Sequence, residues 1–381
     1  MTDPRRPPLL LTPGPLTTSD GVRAALGRDW GSRNDDFIAL TARVRSGLVA
    51  LLPEHEGLTA IPIQGSGSFA VEAMLGCFVG RDDRLLILVN GAYGRRMAEM
   101  ARTLGLRHTL FETAETEPPD PARLDAVLAA DPSIGVVAVV HCETTTGILN
   151  PLDAIAAVVA GRGRELLVDA MSSFGALPIG GGVRFAALAA SSNKCLQGVP
   201  GIAFVLARGD ALAATAGRAR SVVLDLHAQW RGFEATGQWR FTPPVQVAAG
   251  LARALDELAT EGGTAARGAR YRANLAVLTT GLARLGLPTL LPAALQAPII
   301  VTVPAPTAAW YDFAALHARL AERGFVLYPG KLTGIDSFRI GCIGDVHPAD
   351  LEAFVAVLAE VIADLSAAVP SPSPSRPEDR P

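Results

Sequence analysis

The chain has 381 residues, of which 49% are hydrophobic and 19% charged, and it carries a formal net charge of -3 with a pI near 6.1. A chain of this length and composition can bury one large core and a smaller second one, which indicates two domains and excludes a fibre or a wholly disordered protein. Its slightly acidic balance provides no broad basic surface for a nucleic-acid backbone, so any anion site must be local.

The cysteines and the lengths of the apolar runs indicate the cellular compartment of the protein. The four cysteines, at positions 77, 142, 195 and 342, form no CxxC pair. In a chain this long they do not indicate a disulfide framework, which favours a reducing compartment. The apolar run before Pro13 is too short for a secretion signal, and the others stay below the roughly 18 residues of a membrane span. We therefore expect a cytoplasmic protein without a membrane or nucleic-acid partner.

Short apolar runs alternate with longer helical patterns in the first half of the chain. TAIPI precedes FAVEAMLGCF, RLLILV precedes YGRRMAEMARTLG, SIGVVAVV precedes PLDAIAAVVAGRG, and ELLVDA follows. This alternation predicts crossover connections and an α/β fold with a largely parallel sheet that is covered on both faces. The runs are almost continuously apolar, as strands buried on both faces should be.

The pattern changes near Val245, where a long helical stretch begins that continues to Leu285. After it, PIIVTV, a helix near 312–323, SFRIG and a last helix over 348–365 predict a smaller α+β unit. The end of the chain is rich in Pro and Ser, which predicts disorder. We therefore predict a large domain over residues 1–260, a small C-terminal domain over 261–366 and a disordered tail over 367–381.

A run of small residues, Gly65-Ser66-Gly67-Ser68, follows the strand TAIPI and opens the next helix. Small residues let backbone amides approach an anion, and a helix N-terminus adds unpaired N–H groups and a favourable dipole. The run is therefore a candidate phosphate cradle. A plain turn with Ser68 as the helix cap is the alternative.

Two ionisable side chains follow later strands. Asp169 ends ELLVDA, and ligands of parallel α/β sheets bind beyond the carboxyl ends of the strands. Lys194 lies behind a small-residue loop, Ser191-Ser192-Asn193, and before the turn GVPG. A turn-forming aspartate and a solvated surface lysine are the alternatives.

Together the cradle, Asp169 and Lys194 supply what pyridoxal 5'-phosphate requires: an anion site, a carboxylate that keeps the pyridine nitrogen protonated, and an amine that forms a Schiff base. The protonated ring withdraws electrons from the α-carbon of the substrate. Lys194, once displaced by the substrate amine, can move a proton between that carbon and the cofactor. With Lys194 and Asp169 as the candidate catalytic residues, the sequence predicts transamination.

Eight longer motifs follow one another along the chain: LTPGPLTTS, GSGSFAVEAMLG, NGAYGRR, HCETTTGILNPL, DAMSSFGALP, SSNKCLQGVPG, RFTPP and SFRIGCIGD. They resemble the motifs of the class V aminotransferases of fold type I, and the resemblance runs from about Leu9 to Leu365. The resemblance implies a large domain with a mostly parallel seven-stranded sheet, a small C-terminal α+β domain, and a homodimer with its active site at the subunit interface.

The resemblance also implies the substrates. It points to transfer of the amino group of 2-aminoethylphosphonate to pyruvate, which gives phosphonoacetaldehyde and L-alanine. The alternative is an alanine:glyoxylate or serine:pyruvate transaminase of the same class.

Cofactor contacts follow from the same resemblance. It places the phosphate on Ser66, Gly67 and Ser68, with Thr242 of RFTPP reaching in from the partner subunit. Tyr93 of NGAYG matches the aromatic residue that stacks on the pyridine ring. In HCETTTG, Thr144 matches a hydroxyl near the 3-oxygen of the ring, although Thr145 and Thr146 are not separated from it.

Substrate contacts are implied at two further places. Arg339 of SFRIG matches the arginine that binds the anionic end of the substrate, for which a planar guanidinium is well suited. An ion pair of Arg339 with Asp336 or Asp345 is the alternative. Gly14, in the rigid turn Pro13-Gly14-Pro15, matches the segment that lines the substrate entrance.

Other classes of function fit less well. A dinucleotide-binding dehydrogenase is disfavoured because GSGSFA lacks the GxGxxG pattern and no acidic residue ends a strand about 20 residues later. The neighbours His141, Cys142 and Glu143 point to opposite faces of a strand, so we predict no metal site there. A catalytically silent binding scaffold is disfavoured by Lys194 and Asp169.

Overall fold

The structure is a computed structural model that describes residues 7–368. Its helices are α1 Asp20–Ala25, α2 Asp35–Ala50, α3 Gly67–Phe78, α4 Ala92–Thr103, α5 Pro121–Ala130, α6 Leu152–Gly161, α7 Gly209–Ala213, α8 Leu226–Thr236, α9 Val245–Glu261, α10 Gly263–Arg284, α11 Phe313–Glu322 and α12 Pro348–Ala367. Its strands are β1 Leu9–Leu10, β2 Leu58–Gly65, β3 Arg84–Val89, β4 His108–Glu112, β5 Ile134–Val140, β6 Cys142–Glu143, β7 Ile148–Leu149, β8 Glu165–Asp169, β9 Ala187–Ser191, β10 Gly201–Arg208, β11 Ile300–Pro304, β12 Phe325–Val326, β13 Tyr328–Pro329 and β14 Ser337–Gly341. Among these helices none is long and apolar enough to cross a membrane.

Seven strands form one sheet in the order β2-β10-β9-β8-β5-β3-β4. From β9 to β4 every neighbouring pair is parallel, whereas β10 runs antiparallel to both β2 and β9. The predicted α/β fold with a mostly parallel seven-stranded sheet is therefore confirmed.

The sheet separates two hydrophobic cores, which explains why its strands are apolar at almost every position. On β3, Leu86 and Leu88 pack into the core on one face, and Leu85 and Ile87 pack into the core on the other. Successive side chains of a strand point to opposite faces, so a strand between two cores needs apolar residues throughout.

The parallel register brings the ends of distant segments together. Asp169, the last residue of β8, lies opposite Val140 at the end of β5 and opposite Ala189 near the end of β9. Because β2 runs parallel to β9 across β10, its carboxyl end at Gly65 reaches the same edge. The small-residue run, Asp169 and the loop that carries Lys194 therefore meet at one edge of the sheet.

A second unit contains the antiparallel sheet β11-β14-β13 with α10, α11 and α12 around one further core. The short strand β1 pairs with β12 of this unit, so the N-terminal segment runs along the second unit. Gly262, with φ at 108°, separates α9 from α10, one residue after α9 ends. The division into residues 1–260 and 261–366 stays a prediction. The predicted tail lies outside the described residues from 369 onward, and α12 includes its first residue, Ala367.

A buried arginine of α10 connects this helix to the loop of Lys194. Arg267 is 1% exposed, its Nε donates to Glu261 Oε2 at 2.6 Å, and its Nη1 donates to the carbonyl oxygen of Cys195 at 2.7 Å. A buried charge is tolerated only when it is paired and hydrogen-bonded, as here. The position of residue 195, next to Lys194, therefore depends on α10.

We predict that Arg267→Ala lowers the free energy of unfolding by about 3 kcal/mol, because it removes a buried ion pair and leaves a buried carbonyl without its donor. Arg272→Ala is the matched control, since Arg272 lies one turn further along α10 and is exposed. Urea denaturation of both variants measures the difference. An equal loss in the two variants would contradict the structural role of Arg267.

Candidate active site

A cavity of about 230 Å³ opens at the carboxyl edge of the seven-stranded sheet. Its walls bring together many of the residues predicted from the sequence, which are Ser66, Gly67, Ser68, Tyr93, Asp169 and Lys194. Arg96, Met171 and Asn193 also line it.

One end of the cavity is suited to an anion. Ser66 is the N-cap residue of α3, and its hydroxyl makes no capping hydrogen bond. The hydroxyl and the first N–H groups of the helix are therefore available to a ligand. Arg96 adds a positive charge, because its Nη1 donates to Ser68 Oγ at 3.3 Å.

Sequence reasoning missed Arg96, although NGAYGRR contains two adjacent arginines. Arg95 points to solvent and pairs with Glu115 at 3.2 Å, whereas Arg96 faces the cavity. The Cζ of Arg96 also lies 4.9 Å from the centroid of the Tyr93 ring. The signal was the amphipathic pattern of α4, which places neighbouring residues on different faces.

Asp169 forms the inner wall of the cavity and is 5% exposed. Its Oδ1 accepts the N–H of Met171 at 2.9 Å. Burial raises the pKa of its carboxyl from 3.8 to about 6, and Glu143 adds to this, whereas Arg96 and Lys194 oppose it. A buried carboxylate of this kind gains stability from a positive charge beside it, such as a protonated ring nitrogen.

Lys194 is held by the N-terminal segment. Its Nζ donates to the carbonyl oxygen of Pro13 at 2.9 Å and to that of Gly14 at 3.3 Å. Burial lowers the pKa of the ammonium, with further lowering by the charges of Lys331 and Arg339. A lysine with a lowered pKa is neutral more often, and the neutral amine is the nucleophile and base.

Gly14 is required at its position beside this amine. Its φ is 114°, which L side chains rarely adopt, and a Cβ atom there would lie 2.6 Å from Lys194 Nζ. The predicted substrate-entrance residue therefore lies directly against Lys194.

The hydrogen bonds separate the three threonines that the sequence left together. Thr145 Oγ1 donates to Glu143 Oε1 at 2.7 Å, and Thr146 Oγ1 accepts a backbone N–H two residues further along at 3.2 Å. Both hydroxyls thus have local partners. The Thr144 hydroxyl instead faces Tyr93: burial raises the pKa of that phenol, but hydrogen bonding by Thr144 and nearby positive charges lower it overall.

Glu143 is a second residue that sequence reasoning did not use. It is 0% exposed, and its Oε2 accepts the N–H groups of Tyr93 at 3.1 Å and Gly94 at 3.3 Å, at the start of α4. Burial raises the pKa of its carboxyl, while these hydrogen bonds oppose the shift. Glu143 therefore fixes the backbone that carries Tyr93.

Arg339 lies on β14 and is 4% exposed. Its Nε donates to the carbonyl oxygen of Pro329 at 2.9 Å, and its Nη1 donates to that of Thr144 at 3.0 Å. Burial lowers the pKa of its guanidinium, although the neighbouring Tyr93 opposes the shift.

The alternative ion pairs of Arg339 do not form. Asp336 Oδ1 accepts the N–H of Ser337 at 2.9 Å, and Asp345 Oδ1 lies 3.5 Å from His347 Nε2. Within the described residues Arg339 thus has carbonyl oxygens as partners and no carboxylate. A buried cation without a directly paired carboxylate is costly, so the position favours an anionic ligand, although Tyr93 and the buried Glu143 favour the charged form of Arg339 from nearby.

Thr242 is not brought to Lys194 within one chain. It lies in a different surface cavity of about 330 Å³, next to Phe241, which is 48% exposed. The contact of Thr242 with the cofactor phosphate in the partner's active site stays a prediction. Gly14, Thr144 and Arg339 border the main cavity through their contacts with Lys194 and Tyr93 without lining it.

Comparison with known proteins identifies the family. The sequence profile of the class V aminotransferases matches residues 21–331. The chain belongs to this family and is an aminotransferase.

Closer relatives share most of their length with it. A 2-aminoethylphosphonate--pyruvate transaminase of Pseudomonas putida (strain W619) is 51% identical over 359 residues, which are 94% of this chain and 98% of the relative. Another protein of that name, from Pseudomonas aeruginosa (strain UCBPP-PA14), is 50% identical over 366 residues, with 96% and 99% covered.

Solved structures agree on the fold. Pyridoxamine-pyruvate aminotransferase from Mesorhizobium loti superposes with a TM-score of 0.85 at 26% identity, over 96% of this chain and 94% of the other. Alanine--glyoxylate aminotransferase from Nostoc sp. gives 0.84 at 26% identity, over 96% and 97%.

We predict that Asp169→Asn stabilises the cofactor-free protein. The pKa of Asp169 is about 6 in the folded chain and 3.8 at its usual value, so the folded state binds this proton more tightly and loses stability as the pH rises between them. Removing the buried charge should raise the free energy of unfolding by about 1 to 3 kcal/mol at pH 8 and by roughly half of that at pH 5.

Urea denaturation of the cofactor-free protein at the two pH values measures this effect. Asp82→Asn is the control, since Asp82 lies in an exposed turn. A variant that is less stable than the parent at pH 8 would show that Asp169 is a stabilising residue and not one that costs stability.

Proposed function

We propose that this aminotransferase moves the amino group of 2-aminoethylphosphonate to pyruvate, giving phosphonoacetaldehyde and L-alanine, with pyridoxal 5'-phosphate as cofactor. The names of the relatives at 50% and 51% identity support these substrates. The observation in the structure that carries the proposal is Arg339, a buried cation beside Tyr93 that donates to two carbonyl oxygens and forms no ion pair with a carboxylate of the described residues. Both substrates bring an anionic group to such a site.

The residues of the cavity fit this cofactor. Ser66, Gly67 and Ser68 would hold its phosphate, since the uncapped start of α3 and Arg96 favour an anion. Asp169 would face the pyridine nitrogen, and Lys194 would attach the cofactor through its amine. When bound, the cofactor supplies an electron sink for the carbon that carries the substrate's amino group.

Lys194 is the proposed base of the reaction. The carbonyl oxygens of Pro13 and Gly14 orient its Nζ, and the lowered pKa leaves the amine free of a proton more often. It can therefore remove a proton from the substrate carbon and return it. Asp169 would favour the protonated state of the ring nitrogen, because a positive charge beside this carboxylate would offset the cost of its burial.

Thr242 of a partner subunit is the proposed additional contact of the cofactor phosphate. Its exposed position beside the exposed Phe241 supports an interface at this surface. The homodimer would then complete each phosphate site with one hydroxyl from the other chain.

The experiment that tests the proposed function is amino-donor profiling of the purified protein with added cofactor and pyruvate. We expect 2-aminoethylphosphonate to be the preferred donor, with L-alanine as product. Preference for serine with pyruvate, or for alanine when glyoxylate replaces pyruvate as acceptor, would instead identify the alternative transaminase.

We predict that Lys194→Ala reduces transamination by several orders of magnitude, because both the covalent anchor and the base are lost. The visible absorbance of the purified protein should change as well, since it reports on the attachment to Lys194. Cofactor binding measured by dialysis can persist. Near-normal activity with an unchanged spectrum would remove Lys194 from the mechanism.

We predict that Arg339→Lys slows both half-reactions, because a single ammonium replaces a planar fork that donates two hydrogen bonds to one anion. Single-turnover rates with 2-aminoethylphosphonate and with L-alanine should each fall by about tenfold to a thousandfold. The resting absorbance should hardly change. A loss with alanine alone would make Arg339 a carboxylate site only, and no loss would exclude it from the substrate site.

A further inference from the structure

The chain has only two lysines, Lys194 and Lys331, whereas the other 32 of its 34 Lys and Arg residues are arginines. Arginine is thus the default cation of this protein, including its surface ion pairs. Lys194 needs an amine for its proposed chemistry. The second lysine also lies beside this cavity, because its Nζ is near the ring of Tyr93, which lines the cavity together with Lys194.

Lys331 reaches the site from the strand next to Arg339. It follows β13, in which Tyr328 lies opposite Arg339 of β14. Arg339 Nε donates to the carbonyl oxygen of Pro329, two residues before Lys331. The Nζ of Lys331 lies 5.0 Å from the centroid of the Tyr93 ring. The ammonium and the guanidinium therefore approach Tyr93 from adjacent strand segments.

Lys331 is free to bind a ligand. Its side chain is exposed, and within residues 7–368 it makes no ion pair. Glu115, the carboxylate that contacts its loop, is 3.4 Å from Thr333 Oγ1 and pairs with Arg95 at 3.2 Å. Burial lowers the pKa of Lys194, and the charges of Lys331 and Arg339 lower it further, while Tyr93 and Cys195 oppose the shift.

We propose that Lys331 binds the phosphonate group of the amino donor together with Arg339 and takes no part in binding the carboxylate of pyruvate or alanine. This inference rests on the proposed function. A phosphonate, like a phosphate monoester, carries up to two negative charges near neutral pH and has three acceptor oxygens, whereas a carboxylate carries one charge and has two. The planar fork of Arg339 matches two oxygens.

The third oxygen and the second charge require another cation. An ammonium is a compact point charge on a flexible stem, so it can meet a single remaining oxygen without the fixed geometry of a second fork. This explains why a chain that uses arginine elsewhere has a lysine at position 331. Lys331 would thus decide between the phosphonate donor and the carboxylate product, while Arg339 serves both.

The test uses the holoenzyme of Lys331→Met, which keeps the length of the stem and removes the charge. Arg102→Met is the control for the loss of one surface charge, since Arg102 is exposed in the last turn of α4. Single-turnover amine transfer is measured with 2-aminoethylphosphonate and with L-alanine. In Lys331→Met we expect kcat/KM with the phosphonate to fall on the order of tenfold to a hundredfold, mostly through KM, and the rate with alanine to stay within about twofold.

A binding measurement separates recognition from chemistry. Ethylphosphonate and propionate have no amino group, so as competitive inhibitors they report only on the anion site. In Lys331→Met the inhibition constant for ethylphosphonate should rise by the same factor as KM, and that for propionate should not change. Lys331→Arg, which keeps the charge, should recover part of the loss.

Three results would overturn the inference: equal losses with phosphonate and alanine, no loss with either, or a Lys331→Arg variant as weak as Lys331→Met. An equal loss would mean that Lys331 acts through Lys194 or through the fold. If the proposed function itself were wrong, the result would be distinguishable, because the unmodified enzyme would then not use 2-aminoethylphosphonate at all. The ratio of the two inhibition constants still tests Lys331 in that case.

Discussion

The hydrogen-bond register of the parallel strands positions Asp169 and the starts of the loops around it. Asp169 is fixed between Val140 and Ala189 by two parallel ladders, and the loops that follow β5, β8 and β9 begin at the same edge. A shift of one residue would turn Asp169 toward the opposite face, since side chains alternate along a strand. The apolar strand interiors prevent such a shift, because it would exchange the side chains of the two cores. The position of Asp169 is therefore fixed by the sheet.

Burial acts on the two central ionisable groups in a complementary way. It raises the pKa of the Asp169 carboxyl and lowers the pKa of the Lys194 ammonium, because removal from water disfavours the charged form of each. Each group is thus less stable in its charged form before a ligand arrives than it would be in water. A ligand with a positive ring nitrogen and an electrophilic carbon relieves both costs, so desolvation prepares the cavity for its proposed cofactor.

Much of this could be predicted from the sequence, and the remainder has physical reasons. The strands TAIPI, RLLILV, SIGVVAVV and ELLVDA were recognisable because continuous apolar runs between turn residues have few other interpretations. Helices α2 and α5 were not singled out, since their apolar residues are spread over a partly polar pattern. Asp169 and Lys194 were found because the fold class fixes where strand ends meet.

Other parts of the site depend on side-chain direction and burial, which a linear pattern does not contain. Arg95 and Arg96 are chemically identical in the sequence, and only the rotation of α4 places the second one in the cavity. The role of Glu143 required knowledge of its N–H partners across a gap of about fifty residues in the chain. The three threonines could be separated only by their hydrogen bonds. The predicted role of Thr242 involves a second chain, and within one chain this residue lies in a different surface cavity.

The scarcity of lysine gives the protein an uncommon chemical property. Amine-selective reagents usually modify many surface lysines, whereas this chain offers them two side chains, both beside Tyr93. The lowered pKa of Lys194 makes its amine reactive at a pH where ordinary lysines are protonated. A cofactor attached to Lys194 would leave Lys331 as the one lysine side chain open to such a reagent. Mass spectrometry after brief acylation could then count the occupied and empty active sites in a preparation directly from the labelled peptides.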